Sequence, residues 1–346
     1  MSEAEEAPKK QKQTKKPKSS IKKVSAFLVG FLVIIGLAAG GGAYWLKKNF
    51  TQSWVLQEDK VVVIPQGSGV AKIANLLHGE GVIENPLAFR LALRVAKLDK
   101  RLKAGEFLFP AQVTPEQAAH ILEEGKTVLH RITLPEGLTS AEIVALLNAH
   151  DGLDGVITNI PPEGSLLPET YTYARGAKRA DILDHMQDAM QATLDALWSN
   201  RKEGLPLATK QEALILASIV EKETAISSER GMVAGVFINR LNKRMRLQTD
   251  PTVAYGITLG QSDLGRPLSK KDLKTPTAYN TYTIYGLPPT PISNPGRASI
   301  EAVLNPLETK ALYFVADGTG GHAFANSLQE HNRNVAKWRR IERSRK

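Results

Sequence analysis

An uncharged stretch of 23 residues, from Val24 to Leu46, restricts the fold of this chain more than any other feature. It consists mostly of Leu, Ile, Val, Phe, Ala and Gly. A helix rises about 1.5 Å per residue, so roughly 20 residues cross the ~30 Å hydrocarbon core of a bilayer. Tyr44 and Trp45 stand at its end, where amphipathic rings favour the headgroup region. The sequence therefore predicts one membrane-spanning helix over residues 24–46.

The residues before this stretch form a strongly basic tail. Residues 1–23 hold eight Lys and three Glu, a net charge of +5 out of +10 for the whole chain. By the positive-inside rule, this tail stays in the cytoplasm and the chain after Lys48 lies on the other side of the membrane. A cleaved signal peptide is the alternative, since small residues up to Ala43 follow the apolar run. Nucleic-acid binding is not expected of a tail that lacks aromatic residues and adjoins a membrane segment.

The composition and motifs exclude several kinds of chemistry. The chain contains no cysteine, which excludes disulfides, thiolate metal sites and cysteine nucleophiles. His322 and His331 follow no metal-ligand spacing and are expected to be structural or to contact substrate. The sequence has no Walker or dinucleotide-binding glycine loop and no Ser in a G-x-S-x-G context. We therefore expect neither a metal nor a cofactor.

Two later segments resemble each other, residues 61–77 (VVVIPQGSGVAKIANLL) and 131–147 (RITLPEGLTSAEIVALL). Five residues of the first recur 70 positions later in the second: Pro65, Gly67, Ile73, Leu76 and Leu77 return as Pro135, Gly137, Ile143, Leu146 and Leu147. Each segment has the pattern of a β-branched strand, a Pro-x-Gly turn and an amphipathic helix. The pattern is similar to the first half of the glycan-binding LysM module, so we predict a LysM-like repeat region over residues 58–150. Ordinary strand-turn-helix packing is the alternative.

Other segments predict the rest of the framework. A strand is expected near Phe107 and a helix over Pro115–Glu124, with Thr114 as a start signal. A second helix is expected from about Asp181 to Trp198, because its apolar residues recur on one face. A strand-like run before residue 317 and a basic final helix from about Ser327 end the chain.

The most informative segment is residues 208–225, ATKQEALILASIVEKETA. Thr209, with Glu212 three positions later, predicts a helix that begins with a capping box. The residues from Ala213 to Val220 are apolar on all faces, which predicts a helix buried on every side. This helix ends in charged residues, among them Glu221 and Glu223.

The two carboxyl groups at the end of this helix are expected to have separate roles. Positions two apart on a helix point about 200° from each other, so Glu221 and Glu223 cannot form a matched pair. Glu223 continues an apolar stripe, and burial there would raise the pKa of its carboxyl group and keep it protonated, as a general acid requires. A solvated or salt-bridged carboxylate is the alternative.

Seven motifs follow one another in the second half of the chain: EGSLLPETY (163–171), LASIVEKET (216–224), VFINRL (236–241), RLQTDPTVAYG (246–256), TPTAYNTY (275–282), GLPPTPISNPG (286–296) and YFVADGTGGHAF (313–324). Together they resemble the endolytic murein transglycosylase (MltG, YceG-like) family. The run from Ile219 to Thr224 is also similar to the Glu-Ser helix end of lysozyme-like lytic transglycosylases, with Thr in place of Ser. The resemblance implies an α+β fold, with a mixed α/β, lysozyme-like catalytic domain over residues 160–340.

The resemblance also implies an activity. The family consists of single-pass lyases that cleave the MurNAc-GlcNAc bond within nascent peptidoglycan strands, form 1,6-anhydro-MurNAc ends and terminate glycan elongation. It places the catalytic acid at Glu223, which would protonate the linking oxygen and then take the proton of the MurNAc 6-hydroxyl. It implies the cell inner membrane as location, with the catalytic part in the periplasm. Glycan strands of peptidoglycan and peptidoglycan synthases are the implied partners.

The motifs also contain candidate substrate-binding residues, namely Glu221, Gln248, Asp250, Tyr279, Asn280 and Tyr282. Tyrosines combine flat apolar faces with hydrogen-bonding tips, a mixture that suits sugars, although the same run fits an exposed strand. A hydrolase is one alternative to the transglycosylase, with Asp250 as its second carboxylate. A non-catalytic, membrane-anchored peptidoglycan-binding scaffold is the other.

Overall fold

The computed structural model describes residues 19–52 and 56–344. The chain divides into two compact units, of which the first ends at Val128 and the second begins at Leu129. Residues 1–18, most of the tail expected in the cytoplasm, lie outside the described residues. The division between the units falls within the predicted repeat region, whose limits stay a prediction.

Helix α1 (Ser19–Thr51) contains the apolar segment and continues beyond its predicted end. The segment Val24–Thr51 is long and apolar enough to cross a membrane, and most of its large apolar side chains are exposed, Phe27 at 77%. Near the end of α1, Phe50 packs on Phe89 with 6.3 Å between the ring centroids. Helix α1 is therefore compatible with a single-pass membrane anchor whose last turns join the core of the first unit.

The rest of the first unit is β1 (Lys60–Ile64), α2 (Val70–Gly79), α3 (Pro86–Val95), β2 (Gly105–Phe109) and α4 (Pro115–Glu124). Strands β1 and β2 pair antiparallel, with Val62 opposite Phe107. Successive side chains of a strand point to opposite faces, so Val62 and Ile64 are buried while Val61 and Val63 are exposed. Helices α2, α3 and α4 cover the buried face. The predicted strand near Phe107 and the predicted helix α4 are confirmed.

The second unit contains β3 (Leu129–Thr133), α5 (Ser140–Ala149), β4 (Leu153–Asp154), β5 (Thr170–Ala174), β6 (Ala177–Lys178), α6 (Arg179–Ser199), α7 (Lys210–Glu223), α8 (Arg230–Asn242), α9 (Asp250–Thr258), a 3-10 turn (Asp272–Lys274), α10 (Arg297–Leu304), β7 (Tyr313–Ala316), β8 (His322–Ala325) and α11 (Leu328–Ser344). Its strands pair two by two, β3 with β5 and β7 with β8 antiparallel, and β4 with β6 parallel. Elements α6, β7 and α11 confirm the corresponding predictions. Both units mix helices with short strands, as the predicted α+β class requires, whereas a lysozyme-like fold stays a prediction.

Both predicted repeats form a strand, a turn and a helix. Gly67 and Gly137 lie in the turns with φ of +72° and +78°, a left-handed conformation that favours glycine. The first segment forms β1 and α2, and β1 pairs with β2 after two helices. The second forms β3 and α5, and within 129–174, all of which is described, α5 is the one α-helix between β3 and β5. The strand-turn-helix prediction is confirmed, while the LysM relationship stays a prediction.

Helix α7 lies at the centre of the second unit. All eight residues from Ala213 to Val220 are buried, as predicted, against apolar side chains of α6, α8 and α10. The Thr209 hydroxyl accepts a hydrogen bond from the Glu212 backbone N–H at 3.1 Å. The Glu212 carboxylate, however, accepts from Ala208 N–H, so the predicted capping box is not reciprocal. The apolar packing fixes α7 in place and thereby fixes the side chains at its end.

Candidate active site

The last residue of α7, Glu223, lines a cavity of about 330 Å³, which we call the Glu223 cavity. Thr224, which is itself buried, adopts an extended conformation and ends the helix. The other walls come from α8, α9, the turn before α9, the turn at Tyr282, and strands β7 and β8. They consist of Arg240, Leu247, Gln248, Asp250, Tyr282, Phe314, Val315, Ala316 and His322.

The surroundings of Glu223 favour its protonated form. Burial raises the pKa of this carboxyl group, and the nearby Asp250 raises it further. The hydroxyl of Thr249 donates a hydrogen bond to Oε1 of Glu223, which lowers the pKa and partly offsets the burial. Because burial is the larger effect, the pKa stays above its usual value, as predicted for a general acid.

Thr249 is itself held on both sides by buried hydroxyl groups. Its N–H donates to Oγ1 of Thr281 at 3.0 Å, and its carbonyl oxygen accepts from Thr252 at 2.8 Å. The preceding residue, Gln248, has a φ of +53°, a conformation that costs of order 1–3 kcal/mol for a residue other than glycine. The surrounding hydrogen bonds hold this strained turn and direct the Thr249 hydroxyl at Glu223.

A second carboxyl group lies in the same cavity. The hydroxyl of Tyr282 donates to Oδ1 of Asp250 at 2.6 Å. Burial, followed by this hydrogen bond, raises the pKa of Tyr282, so the phenol remains a donor. Asp250 is the first residue of α9. No group of three or more His, Asp or Glu side chains in the described parts of the chain is arranged to hold a metal ion.

Two positively charged or chargeable groups complete the cavity. The Arg240 guanidinium donates to the carbonyl oxygens of Leu312 at 2.6 Å and Leu247 at 2.7 Å. Nδ1 of His322 lies 2.7 Å from Oε2 of Glu229, which fixes the ring. Both Arg240 and His322 lower the pKa of Glu223 and so favour its carboxylate form. Sequence analysis missed Arg240, whose only signal is its place in the VFINRL motif.

Of the predicted substrate-binding residues, Gln248, Asp250 and Tyr282 line this cavity, whereas Glu221 is not among its lining residues. The Glu221 carboxylate accepts from Nη2 of Arg230 at 3.2 Å and from the Gly296 N–H at 2.9 Å. The two carboxyl groups at the end of α7 thus have different surroundings, while their separate roles stay a prediction.

Tyr279 and Asn280 also lie outside the lining of the Glu223 cavity. The Tyr279 hydroxyl is 2.8 Å from that of Thr290. Asn280 is fully buried, and its amide donates to three backbone carbonyls, those of Asp272, Leu273 and Thr275. Its Oδ1 accepts from the Tyr282 N–H at 2.9 Å, so Asn280 holds the turn that presents Tyr282. These residues form turns, and the alternative of an exposed strand is wrong.

A carboxyl group of raised pKa beside a fixed donor can give a proton and take it back, so the Glu223 cavity has the chemistry of an acid-base site. The chain matches the YceG-like family over residues 62–337, and it belongs to this family. The resemblance noted in the sequence is confirmed.

Curated relatives carry the name endolytic murein transglycosylase. The protein of Bacillus subtilis (strain 168) is 30% identical, with 86% of this chain and 90% of the relative covered. The protein of Streptococcus pneumoniae (strain D39) is 29% identical over 90% of this chain, which spans 65% of the relative's length. A crystal structure of a putative yceG-like protein from Listeria monocytogenes is 32% identical, with a TM-score of 0.47 and coverage of 80% of this chain and 99% of that one.

Proposed function

We propose that this protein is a membrane-anchored lytic transglycosylase that cleaves the MurNAc-GlcNAc bond within peptidoglycan strands, with Glu223 as its catalytic acid and base. The observation that carries the proposal is the half-buried Glu223 carboxyl group, held by Thr249 at the wall of a polar cavity. The names of the curated relatives support the same activity.

The reaction needs one carboxyl group that changes its protonation state twice. Glu223 donates its proton to the oxygen that links C1 of MurNAc to GlcNAc, and that bond breaks with its electron pair going to the oxygen. The resulting carboxylate then takes the proton of the MurNAc 6-hydroxyl, while the oxygen of that hydroxyl bonds to C1. The products are a 1,6-anhydro-MurNAc end and a free GlcNAc hydroxyl. No water is consumed, and Glu223 ends protonated as it began.

The cavity contains groups suited to each half of this cycle. Burial and Asp250 favour the protonated acid that begins the reaction. Arg240 and His322 favour the carboxylate that exists after the first proton transfer. Thr249 donates to one oxygen of the carboxyl group, Oε1, which leaves Oε2 to carry the proton to substrate.

The same proposal covers location and partners. Helix α1 would anchor the protein in the cell inner membrane, with the tail in the cytoplasm and the catalytic unit in the periplasm. LysM-like repeats would hold glycan near a lysozyme-like catalytic domain. Cleavage next to peptidoglycan synthases would terminate glycan elongation.

The test uses the full-length protein in detergent micelles and purified peptidoglycan. Mass spectrometry should find 1,6-anhydro-MurNAc ends, and Glu223→Gln should abolish them while binding of peptidoglycan is retained. A scaffold would bind without producing such ends, and this outcome would refute the catalytic proposal. The second candidate is a hydrolase, which the presence of Asp250 in the cavity favours. Digestion in ¹⁸O-labelled water tests whether water takes part in the cleavage. A hydrolase would leave labelled reducing ends.

A further inference from the structure

Helix α3 of the first unit has an apolar face that is not covered by the rest of the unit. Leu87, Leu91 and Val95 are 56%, 42% and 75% exposed. They are four residues apart, so they lie along one side of the helix, which we call the α3 stripe. The core of the unit is built from other side chains of α3, such as Phe89 and Leu93. A run of exposed apolar side chains on one helix face is typical of a contact surface.

Two arginines accompany the α3 stripe. Arg90 and Arg94 are exposed and one helical turn apart, and together with Leu87 and Leu91 they line a cavity of about 140 Å³. The other lining residues of this cavity are Val70, Ala71 and Asp99. Residues 85–102 hold five basic residues and one acidic residue, a net charge of +4. Apolar side chains beside cations suit a phospholipid, which has apolar acyl chains and an anionic phosphate.

Helix α3 packs on α1 just beyond the segment expected to cross the membrane. Phe50, which contacts Phe89 of α3, follows Trp45 by five residues, about 7.5 Å along the helix. The headgroup layer on each side of the hydrocarbon core is roughly 5–8 Å thick. Leu46, one turn before Phe50, is half-buried, whereas the large apolar side chains earlier in α1 are exposed. Packing on α1 therefore begins at the level of the lipid headgroups.

We propose that the α3 stripe lies on the surface of the bilayer, with its apolar side chains at the boundary of the acyl chains and with Arg90 and Arg94 against lipid phosphates. This inference rests on the membrane anchorage in the proposed function. A second copy of the chain is a poorer occupant, because a symmetric contact through the same face would bring the arginines of both copies together. Contact at α3 would determine which side of the first unit faces the membrane.

The test places a spin label on the α3 stripe of the full-length protein in lipid nanodiscs. Because the chain contains no cysteine, Leu91→Cys gives a single labelling site. Leu108→Cys is the matched control, since Leu108 is 48% exposed and lies on the outer face of β2 in the same unit. Paramagnetic resonance measures how well lipid-soluble oxygen and a water-soluble nickel chelate reach each label.

The label at residue 91 should be reached mainly by oxygen, and the label at residue 108 mainly by the nickel chelate. Val95→Cys repeats the measurement one turn further along the α3 stripe and should agree with Leu91→Cys. Equal accessibility at residues 91 and 108 would overturn the proposal. Spectral broadening by contact between labels on two copies would overturn it too, because a second copy would then cover the α3 stripe.

The role of the arginines is tested with two lipid compositions. Combining Arg90→Gln with Arg94→Gln removes two cations beside the α3 stripe. In discs that contain phosphatidylglycerol, the ratio of lipid-immersed to water-exposed label at residue 91 should fall about 30-fold, equivalent to roughly 2 kcal/mol. In discs of phosphatidylcholine alone, the same two substitutions should have little effect. An unchanged ratio in the anionic discs would overturn the proposed contact with lipid phosphates.

A label at Leu32→Cys, within the apolar segment of α1, separates this proposal from the anchor on which it rests. A label at residue 32 that lies in water would refute the anchor and the contact of α3 together. A label in lipid at residue 32 with a label in water at residue 91 would refute the contact of α3 alone. None of these measurements depends on cleavage of peptidoglycan, so failure of the proposed catalysis would leave their result unchanged.

Discussion

Glu221 and Glu223 are two residues apart on the same helix, yet their surroundings differ in charge. Glu221 pairs with the cation Arg230, and its side chain is 5% exposed. Glu223 receives its close hydrogen bond from a neutral hydroxyl, that of Thr249, and burial raises its pKa. A carboxyl group that must gain and lose a proton is better served by burial beside a neutral donor than by a direct ion pair. The partner, and not the residue type, separates a structural carboxyl group from a candidate catalytic one.

The sharpest comparison makes the same substitution at both positions. Glu223→Gln should reduce formation of anhydro ends by about 10²–10⁴-fold, because it removes the transferable proton. Glu221→Gln should leave the rate within a few-fold of wild type, provided that circular dichroism shows a folded protein. The rates come from mass spectrometry of timed digests. Equal losses of activity in the two folded variants would contradict the proposed difference in role between the two carboxyl groups.

The two positions should rank in the opposite order when stability is measured, because substitution of Glu221 should destabilise the protein more than substitution of Glu223. Glu221→Ala leaves Arg230 with Glu136 as its remaining carboxylate and should lower the free energy of unfolding by about 2 kcal/mol. Glu223→Gln should stabilise the protein at neutral pH, because a carboxyl group whose pKa is raised on folding opposes folding once it ionises. That advantage should shrink as the pH falls through the raised pKa of Glu223 toward its unfolded value. Denaturant titrations at several pH values measure both effects.

Substitutions at Thr249 test how a neutral hydrogen-bond donor affects the pKa of Glu223. Thr249→Val removes the hydrogen bond that lowers the pKa of Glu223, so the loss of activity at alkaline pH should move to higher pH. The rate should fall about tenfold, because a hydrogen bond to a charged group contributes roughly 1.5 kcal/mol. Thr249→Ser keeps the hydroxyl and should restore the wild-type pH profile. A valine variant with an unshifted profile would show that Thr249 only packs.

The smallest expected effect concerns the second carboxyl group of the Glu223 cavity. Asp250→Asn removes a negative charge that raises the pKa of Glu223, so the alkaline loss of activity should move to lower pH. The rate at its optimum should change only a few-fold, and the products should still be anhydro ends. Complete loss of product would instead give Asp250 the role of an essential second carboxylate. A pH-rate profile with product analysis distinguishes these outcomes.

Sequence periodicity could predict the helix that carries Glu223 but not its partners. The apolar run from Ala213 to Val220 marks a buried helix, and helical geometry separates Glu221 from Glu223. Thr249 binds Glu223 and His322 lines the same cavity, yet both lie far from Glu223 along the chain, and no local pattern predicts that they come together. Tyr279 and Asn280 show the same limit, because the composition of a turn does not tell which side chains face its interior.

The contact between Phe50 and Phe89 joins α1 directly to the first unit. Because α1 is one continuous helix packed on the first unit, as an anchor it would act as a short stiff stalk and not as a flexible tether. As a membrane protein, this chain would hold its first unit at a set height above the lipid surface. Under the proposed function, the protein would then reach its substrate by lateral diffusion in the plane of the bilayer.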